Sequence, residues 1–134
     1  MRALSVGANL TANTLTTLYT VPKGYYARVV LLRAANASSS NKHITFDWVD
    51  NSASVTYSLV YQTAVTSKTT QDWGGVSYFV MEEDDILKVT SESASTFAVA
   101  VTIEEEELLT ILKTRLAKGE ITSEEFEKIK KQLK

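Results

Sequence analysis

The spacing of apolar residues changes once in this chain, at Glu104, and that change limits what the chain can fold into. From Leu4 to Ile103 the sequence is rich in Thr, Val, Ser and Tyr and alternates apolar with polar residues, the two-residue period of strands. From Glu104 to Lys134 it is densely charged, with Leu and Ile at helical spacing and one interruption at Lys118-Gly119. The chain therefore divides into a β domain over 1–103 and a helical segment over 104–134. The second is too short to bury a core alone, so it must dock on something.

At 44% hydrophobic, 134 residues suffice for one packed domain with an appendage. The formal net charge is -2, which offers no clustered basic surface for nucleic acid. Lys/Arg and Asp/Glu number 7 and 8 in Met1–Ile103 and again 7 and 8 in Glu104–Lys134, so the tail differs in charge density, as a solvated helical surface does. No Cys is present, which excludes disulfides and thiolate chemistry. The single His excludes a multi-histidine metal site within one chain. Met1-Arg2-Ala3-Leu4 runs straight into Ser, Gly, Asn and Thr, which is no signal-peptide apolar region. No run reaches membrane-spanning length, so synthesis in a cytoplasm without membrane contact is expected.

Strand candidates follow at regular spacing. Leu15–Val21 stops at Pro22-Lys23-Gly24, where Pro presets a turn and Gly supplies its positive φ. Tyr25–Ala34 is almost continuously apolar and reads as a central strand buried on both faces. In Lys42–Val49, Ile44, Phe46 and Trp48 point one way, and His43, Thr45 and Asp47 the other. Val55–Tyr61 places Val55, Tyr57, Leu59 and Tyr61 on one face. Ser67–Gln71, Val76–Met81, Ile86–Thr90 and Phe97–Ile103 complete the set, with Trp73-Gly74-Gly75 as an interruption and Glu82–Asp85 as an acidic turn. About eight short strands separated by turns predict an antiparallel β-sandwich, jelly-roll-like, followed by a C-terminal helical hairpin.

The hairpin is written in local signals. Leu108, Leu109, Leu112 and Leu116 share one helical face, broadened by Ile111. Gly119 stands where a C-terminal cap belongs. Thr122-Ser123-Glu124-Glu125 reads as a capping box with Thr122 as N-cap, and Ile121 and Phe126 are placed as a hydrophobic staple. Phe126, Ile129 and Leu133 then share a face of the second helix. Glu104–Glu107 would meet the positive end of the first helix dipole.

The residues Leu109, Leu112, Leu116, Lys118-Gly119-Glu120-Ile121-Thr122, Glu124-Glu125-Phe126, Lys130 and Leu133 resemble the SHOCT (short C-terminal domain) motif. The resemblance covers the last quarter of the chain and implies an interaction or oligomerisation appendage without chemistry. Leu18–Tyr25 with the Val/Leu strand after it, Tyr57–Tyr61, Trp73-Gly74-Gly75 and Glu83–Val89 resemble small β-sandwich proteins of tailed-phage virions. Many of those relatives carry Gly-Asp where this chain has Asp84-Asp85. The resemblance implies a capsid decoration or cement protein, a tail-associated protein or a fibre piece.

Candidate sites compete with plainer readings. His43 and Asp47 share a strand face with nearby Ser residues, but no nucleophile elbow or oxyanion signal accompanies them, so a solvated face is the better reading. Glu82-Glu83-Asp84-Asp85 is rich in oxygen ligands yet lacks calcium-loop spacing. Trp48 shares its face with Ile44 and Phe46 and belongs to the core. Trp73, in an expected loop beside two glycines, is the aromatic most open to a ligand, with Tyr57, Tyr61 and Tyr78 as companions on a sugar-binding face.

The apolar hairpin residues Leu108, Leu109, Leu112, Leu116, Phe126, Ile129 and Leu133 pack either on their own sandwich or on a neighbouring subunit. A strand-to-helix switch that lets the hairpin project favours the neighbour. These readings together describe a non-enzymatic virion protein without cofactor or metal. It would form a cyclic homo-oligomer, such as a trimer, and bind the major capsid protein or a tail or collar surface. The alternatives are a tail, collar or fibre component, and a carbohydrate-binding module for host attachment.

Overall fold

The computed structural model describes residues 2–119 and 122–132, with side chains throughout these except at 75–78, 110–112, 114–115 and 132. Eight strands run in order: β1 Arg2–Asn9, β2 Thr16–Thr20, β3 Tyr25–Asn36, β4 Lys42–Asp50, β5 Val55–Val65, β6 Thr69–Met81, β7 Ile86–Ser91 and β8 Phe97–Glu107. Two helices follow, α1 Leu108–Ala117 and α2 Ser123–Gln132. The strands form two four-stranded sheets, ordered β1-β8-β3-β6 and β2-β7-β4-β5, with every pairing antiparallel. The core lies between them. Ile44 and Phe46 from one sheet meet Ala27, Val29, Val101 and Ile103 from the other, all buried.

The expected strands are present with three corrections. β1 was not among them, because Arg2–Asn9 offers only Leu4, Val6 and Ala8 to the core, and these are partly buried. Ser67–Gln71 and Val76–Met81 belong to one edge strand, β6, which runs straight through Trp73 and Gly74. β3 is not buried on both faces. It alternates, with Ala27 and Val29 inward before a bulge at Val30, and Leu32, Ala34 and Asn36 inward after it. One extra residue reverses the phase of a two-residue period, which made this stretch look continuously apolar. On the outer face Arg33 pairs with Asp72 of β6 through two hydrogen bonds of 2.7 and 3.0 Å.

The same bulge shapes β6. Val29 pairs with Phe79 and Leu31 with Gly74, so residues 75–78 of β6 stand against Val30 alone. Gly74 has φ +122°, and a Cβ there would lie 2.4 Å from the Val30 carbonyl oxygen. The close approach of two backbones therefore requires glycine.

Tight turns and buried polar groups close the ends. Tyr25 N–H donates to the Pro22 carbonyl at 3.1 Å, with Gly24 at φ +79°. Asp85 is 1% exposed, and its carboxylate accepts from Trp48 Nε1 at 3.1 Å and from the amides of Asn51 and Glu82, both at 2.9 Å. Buried Asn36 donates to the carbonyls of Ser40 and Val65 and accepts from the Ser38 amide. Each of these side chains satisfies backbone groups that a turn would otherwise leave unpaired.

Gly74→Ala should lower stability by about 2–4 kcal/mol, since it adds strain at a positive φ to a clash with backbone. Gly24→Ala, whose Cβ would meet nothing within 4 Å, should cost only about 1 kcal/mol. Urea unfolding of the two variants measures the difference.

Candidate interaction surfaces

The expected helical start at Glu104 is wrong. β8 continues through Glu107, and α1 begins at Leu108 with no acidic residue in its first turn. The acidic run stays extended because both neighbouring strands supply partners to it. Glu104 pairs with Arg28 of β3, and Tyr26 OH of β3 donates to Glu106 at 2.9 Å. Glu105 follows the inward alternation of Phe97, Val99, Val101 and Ile103 and is 3% exposed. Tyr19 OH of β2 donates to it at 2.6 Å, and the Arg2 guanidinium of β1 pairs with its other oxygen. One buried carboxylate thus ties β8 to both sheets. Burial, then the hydrogen bond to Glu105, pushes the Tyr19 phenol far above its ordinary pKa.

The strand then becomes a helix at a fixed point. Leu108 N–H donates to the Gly24 carbonyl at 2.8 Å, in the turn that opens β3. α1 contacts β8, which it continues, and α2. At its end Gly119 takes φ +76° and its N–H reaches the Leu116 carbonyl at 3.1 Å. Thr122 caps α2, accepting from the Glu125 amide at 3.2 Å, and its hydroxyl donates to the Glu125 carboxylate at 3.2 Å. Ile121, the other half of the expected staple, lies outside the described residues, as do Leu133 and the side chains of Ile111 and Leu112.

Of the remaining helical residues expected at an interface, Phe126 is 8% exposed, and Leu108, Leu109, Leu116 and Ile129 are half-buried. None of these five is among the chain's large exposed hydrophobics. That apolar exposure falls on β5 instead, at Val55, Tyr57, Leu59 and Tyr61, together with Leu15 and Val80. Alternation put the four β5 residues on one face. Bulges break that face: Asp47 pairs with Ser58 and Phe46 with Val60, which skips Leu59 and turns Val60 into the core.

Trp73 is not in a loop. It is half-buried in β6, packed edge-on against Phe46 at 5.7 Å. It borders a cavity of about 260 Å³ between β5 and β6, floored by Val29 and Leu32 and walled by Leu59, Val60 and Phe79. The described side chains around it are apolar. Tyr57 packs on Trp48 at 5.1 Å, and the side chain of Tyr78 lies outside the described residues.

The other candidates resolve into local structure. His43 and Asp47 turn to different partners. The His43 amide donates to Glu92 at 3.0 Å with its Nε2 3.4 Å from the same carboxylate, while Ser58 Oγ donates to Asp47 at 2.8 Å. The His43 backbone N–H, foremost, holds the Glu92 carboxyl below its ordinary range. In the acidic turn Asp85 is consumed as described, Asp84 pairs with Lys23 at 2.7 Å, and Glu83 accepts from the Gly24 amide at 2.8 Å. Asp84 takes φ +68°, the left-handed position at which a Gly-Asp turn carries glycine.

Residues 107–134 match the family described as Short C-terminal domain, SHOCT. The match begins at the last residue of β8, so the SHOCT segment coincides with α1, α2 and their connection. No curated protein sequence matches the chain. The fold is similar to a chain from the acidic stable capsid structure of Helicobacter pylori bacteriophage KHP30. The TM-score is 0.51 at 12% identity, over 78% of this chain and 93% of that one. A looser likeness, at TM-score 0.41 and 16% identity over 80% of this chain and 86% of the other, is to a chain from Bacillus endospore appendages, described as disulfide-linked pili. Among the described residues no helix is long and apolar enough to cross a membrane.

Tyr19→Phe should destabilise the chain by about 1–3 kcal/mol, because it takes a donor from a buried carboxylate. It should also change the alkaline limb of stability. A phenol raised in the folded state stays protonated while the unfolded chain loses its proton near its ordinary pKa of about 10. Stability present below that pH is therefore lost as pH rises beyond it, and Tyr19→Phe should make the fall shallower in denaturant titrations.

Proposed function

We propose that this chain is a non-enzymatic structural protein of a phage virion, a capsid decoration or cement protein that associates with its own copies and binds the capsid surface. The observation that carries this reading is the strand order. β1-β8-β3-β6 facing β2-β7-β4-β5 is, on our reading, the order of an eight-stranded jelly roll, an architecture that recurs in viral capsid domains. The fold likeness to a capsid-derived chain supports it. So does the use of the candidate acids and the histidine in structural pairing.

On this reading the sandwich and the SHOCT segment have separate tasks. The sandwich supplies a rigid body. The segment, carried as a helical hairpin on the end of β8 and held at Leu108 by Gly24, adds a second point of contact to a neighbouring subunit or the shell. A protein that binds only assembled capsid stabilises the assembly by mass action. Two weak contacts on one rigid body raise the attachment well beyond either alone.

The test is purified particles with and without residues 108–134. The cut must fall after Glu107, because Glu105 is a core residue. The truncated chain should stay folded with a melting temperature near that of the full chain, and its occupancy on particles should fall by about tenfold or more. The full chain should be present at a copy number on the scale of the shell subunits. A few copies at one vertex would assign it to the tail or collar, and absence from particles would overturn the virion reading.

A further inference from the structure

The two sheets have four edge strands, and three of them are protected against pairing. β1 opens on Arg2, β2 is five residues long with a register shift, and β6 carries Asp72 and the excess residues 75–78. Short, charged or bulged edges are the usual defence against strand addition. β5 carries bulges at Leu59 and at Tyr61-Gln62 but no charge. Its sequence, VTYSLVYQTAV, is eleven residues without a charge, a proline or a glycine. Among the described residues no strand pairs on its outer edge. Its unbroken register with β4 runs from Val55 to Ser58, and Gln62, in the second bulge, has φ +43°. Tyr61 is 66% exposed, Tyr57 44% and Val55 40%. Beside this strand lies the cavity bordered by Leu59, Trp73 and Phe79.

We propose that β5 pairs with β5 of a second copy of this chain, antiparallel about a two-fold axis, joining two four-stranded sheets into one. Charge selects this occupant. An uncharged strand facing its own copy buries no unpaired charge, whereas a charged partner would lose its hydration against β5 without compensation. A formal net charge of -2 puts little repulsion between copies. Antiparallel pairing about a two-fold axis also lets one strand serve as both halves of the interface. This inference rests on the self-association in the proposed function, and it moves the seam from the helices to the sheet.

Light scattering or sedimentation equilibrium of the full chain measures it. The wild-type mass should be twice the 14.8 kDa of one chain. Tyr61→Lys should give one chain with unchanged circular dichroism and melting temperature, Tyr57→Lys should give one chain with a lower melting temperature because it also loses the Trp48 contact, and Leu15→Lys, at an isolated exposed leucine, should stay dimeric. A wild type that is monomeric up to its highest soluble concentration overturns the inference, as does an oligomer indifferent to both lysines. Particle attachment separates the two readings. A monomeric wild type that still coats particles sinks only the β5 seam, and a β5 dimer missing from particles sinks only the virion assignment.

Discussion

A carboxylate buried beneath β8 holds this molecule together at its most consequential point. Glu105 continues the inward face of the last strand, and its two oxygens are met by Tyr19 from the opposite sheet and Arg2 from the first strand. Burying a lone carboxylate would be prohibitive, so the site persists only because both partners are in place. The consequence is directional. With β8 pinned beyond Ile103, Glu106 and Glu107 stay paired with Tyr26 and Tyr25 of β3, and the chain reaches Leu108 with its heading set. The Gly24 carbonyl then takes the first helical amide. The helices extend a core strand and are not a tail on a flexible tether.

A second constraint acts where β6 crosses the bulge of β3. Val30 is one residue too many in β3, and β6 answers with residues 75–78, an excess that Gly74 makes possible by letting the two backbones touch. Bulges re-aim side chains and end pairing where they occur. A cavity bordered by Leu59, Trp73 and Phe79 lies between β5 and β6, and Tyr57 and Tyr61 of β5 stand exposed. The helices leave the sandwich beside Glu105 and the Gly24 turn. β5, with exposed Tyr57 and Tyr61, is an uncharged edge of the other sheet.

The sequence was most legible where one local rule decided the outcome. The turn at Gly24, the cap at Thr122, the glycine at 119 and the faces of β4 depend on neighbours within a few residues, and each forms as expected. Legibility failed wherever a partner distant in sequence decided. Glu104–Glu107 carry no periodicity of their own, and only Arg2, Tyr19, Tyr26 and Arg28, far away in the chain, make them a strand. The bulges at Val30 and Leu59 reverse a phase that counting assumes to be constant. Trp73 looked like loop because glycine usually ends a strand, whereas Gly74 lets this strand continue past a crowded neighbour. A signal for the exposed edge was present all the same: eleven residues of β5 without a charge, in a chain that is 22% charged.

That edge changes what the helices are for. If their apolar residues were the main seam between copies, they would be the most exposed apolar surface on the molecule. Among the described residues they are not. Phe126 is buried and Leu108, Leu109, Leu116 and Ile129 are half-covered, while the tyrosines of β5 stand open. Among the described helical side chains the exposed ones of α2 are chiefly charged, Glu124, Glu125, Glu127, Lys128 and Lys131. Such a surface suits a polar, salt-sensitive contact that sets orientation and partner choice more than affinity. On the proposed function, apolar strand pairing would belong to one sheet and charged contact to the helices carried by the other. On the proposed function, copies would join along β5 while the helices, aimed by Glu105 and Gly24, meet the surface on which the joined copies sit.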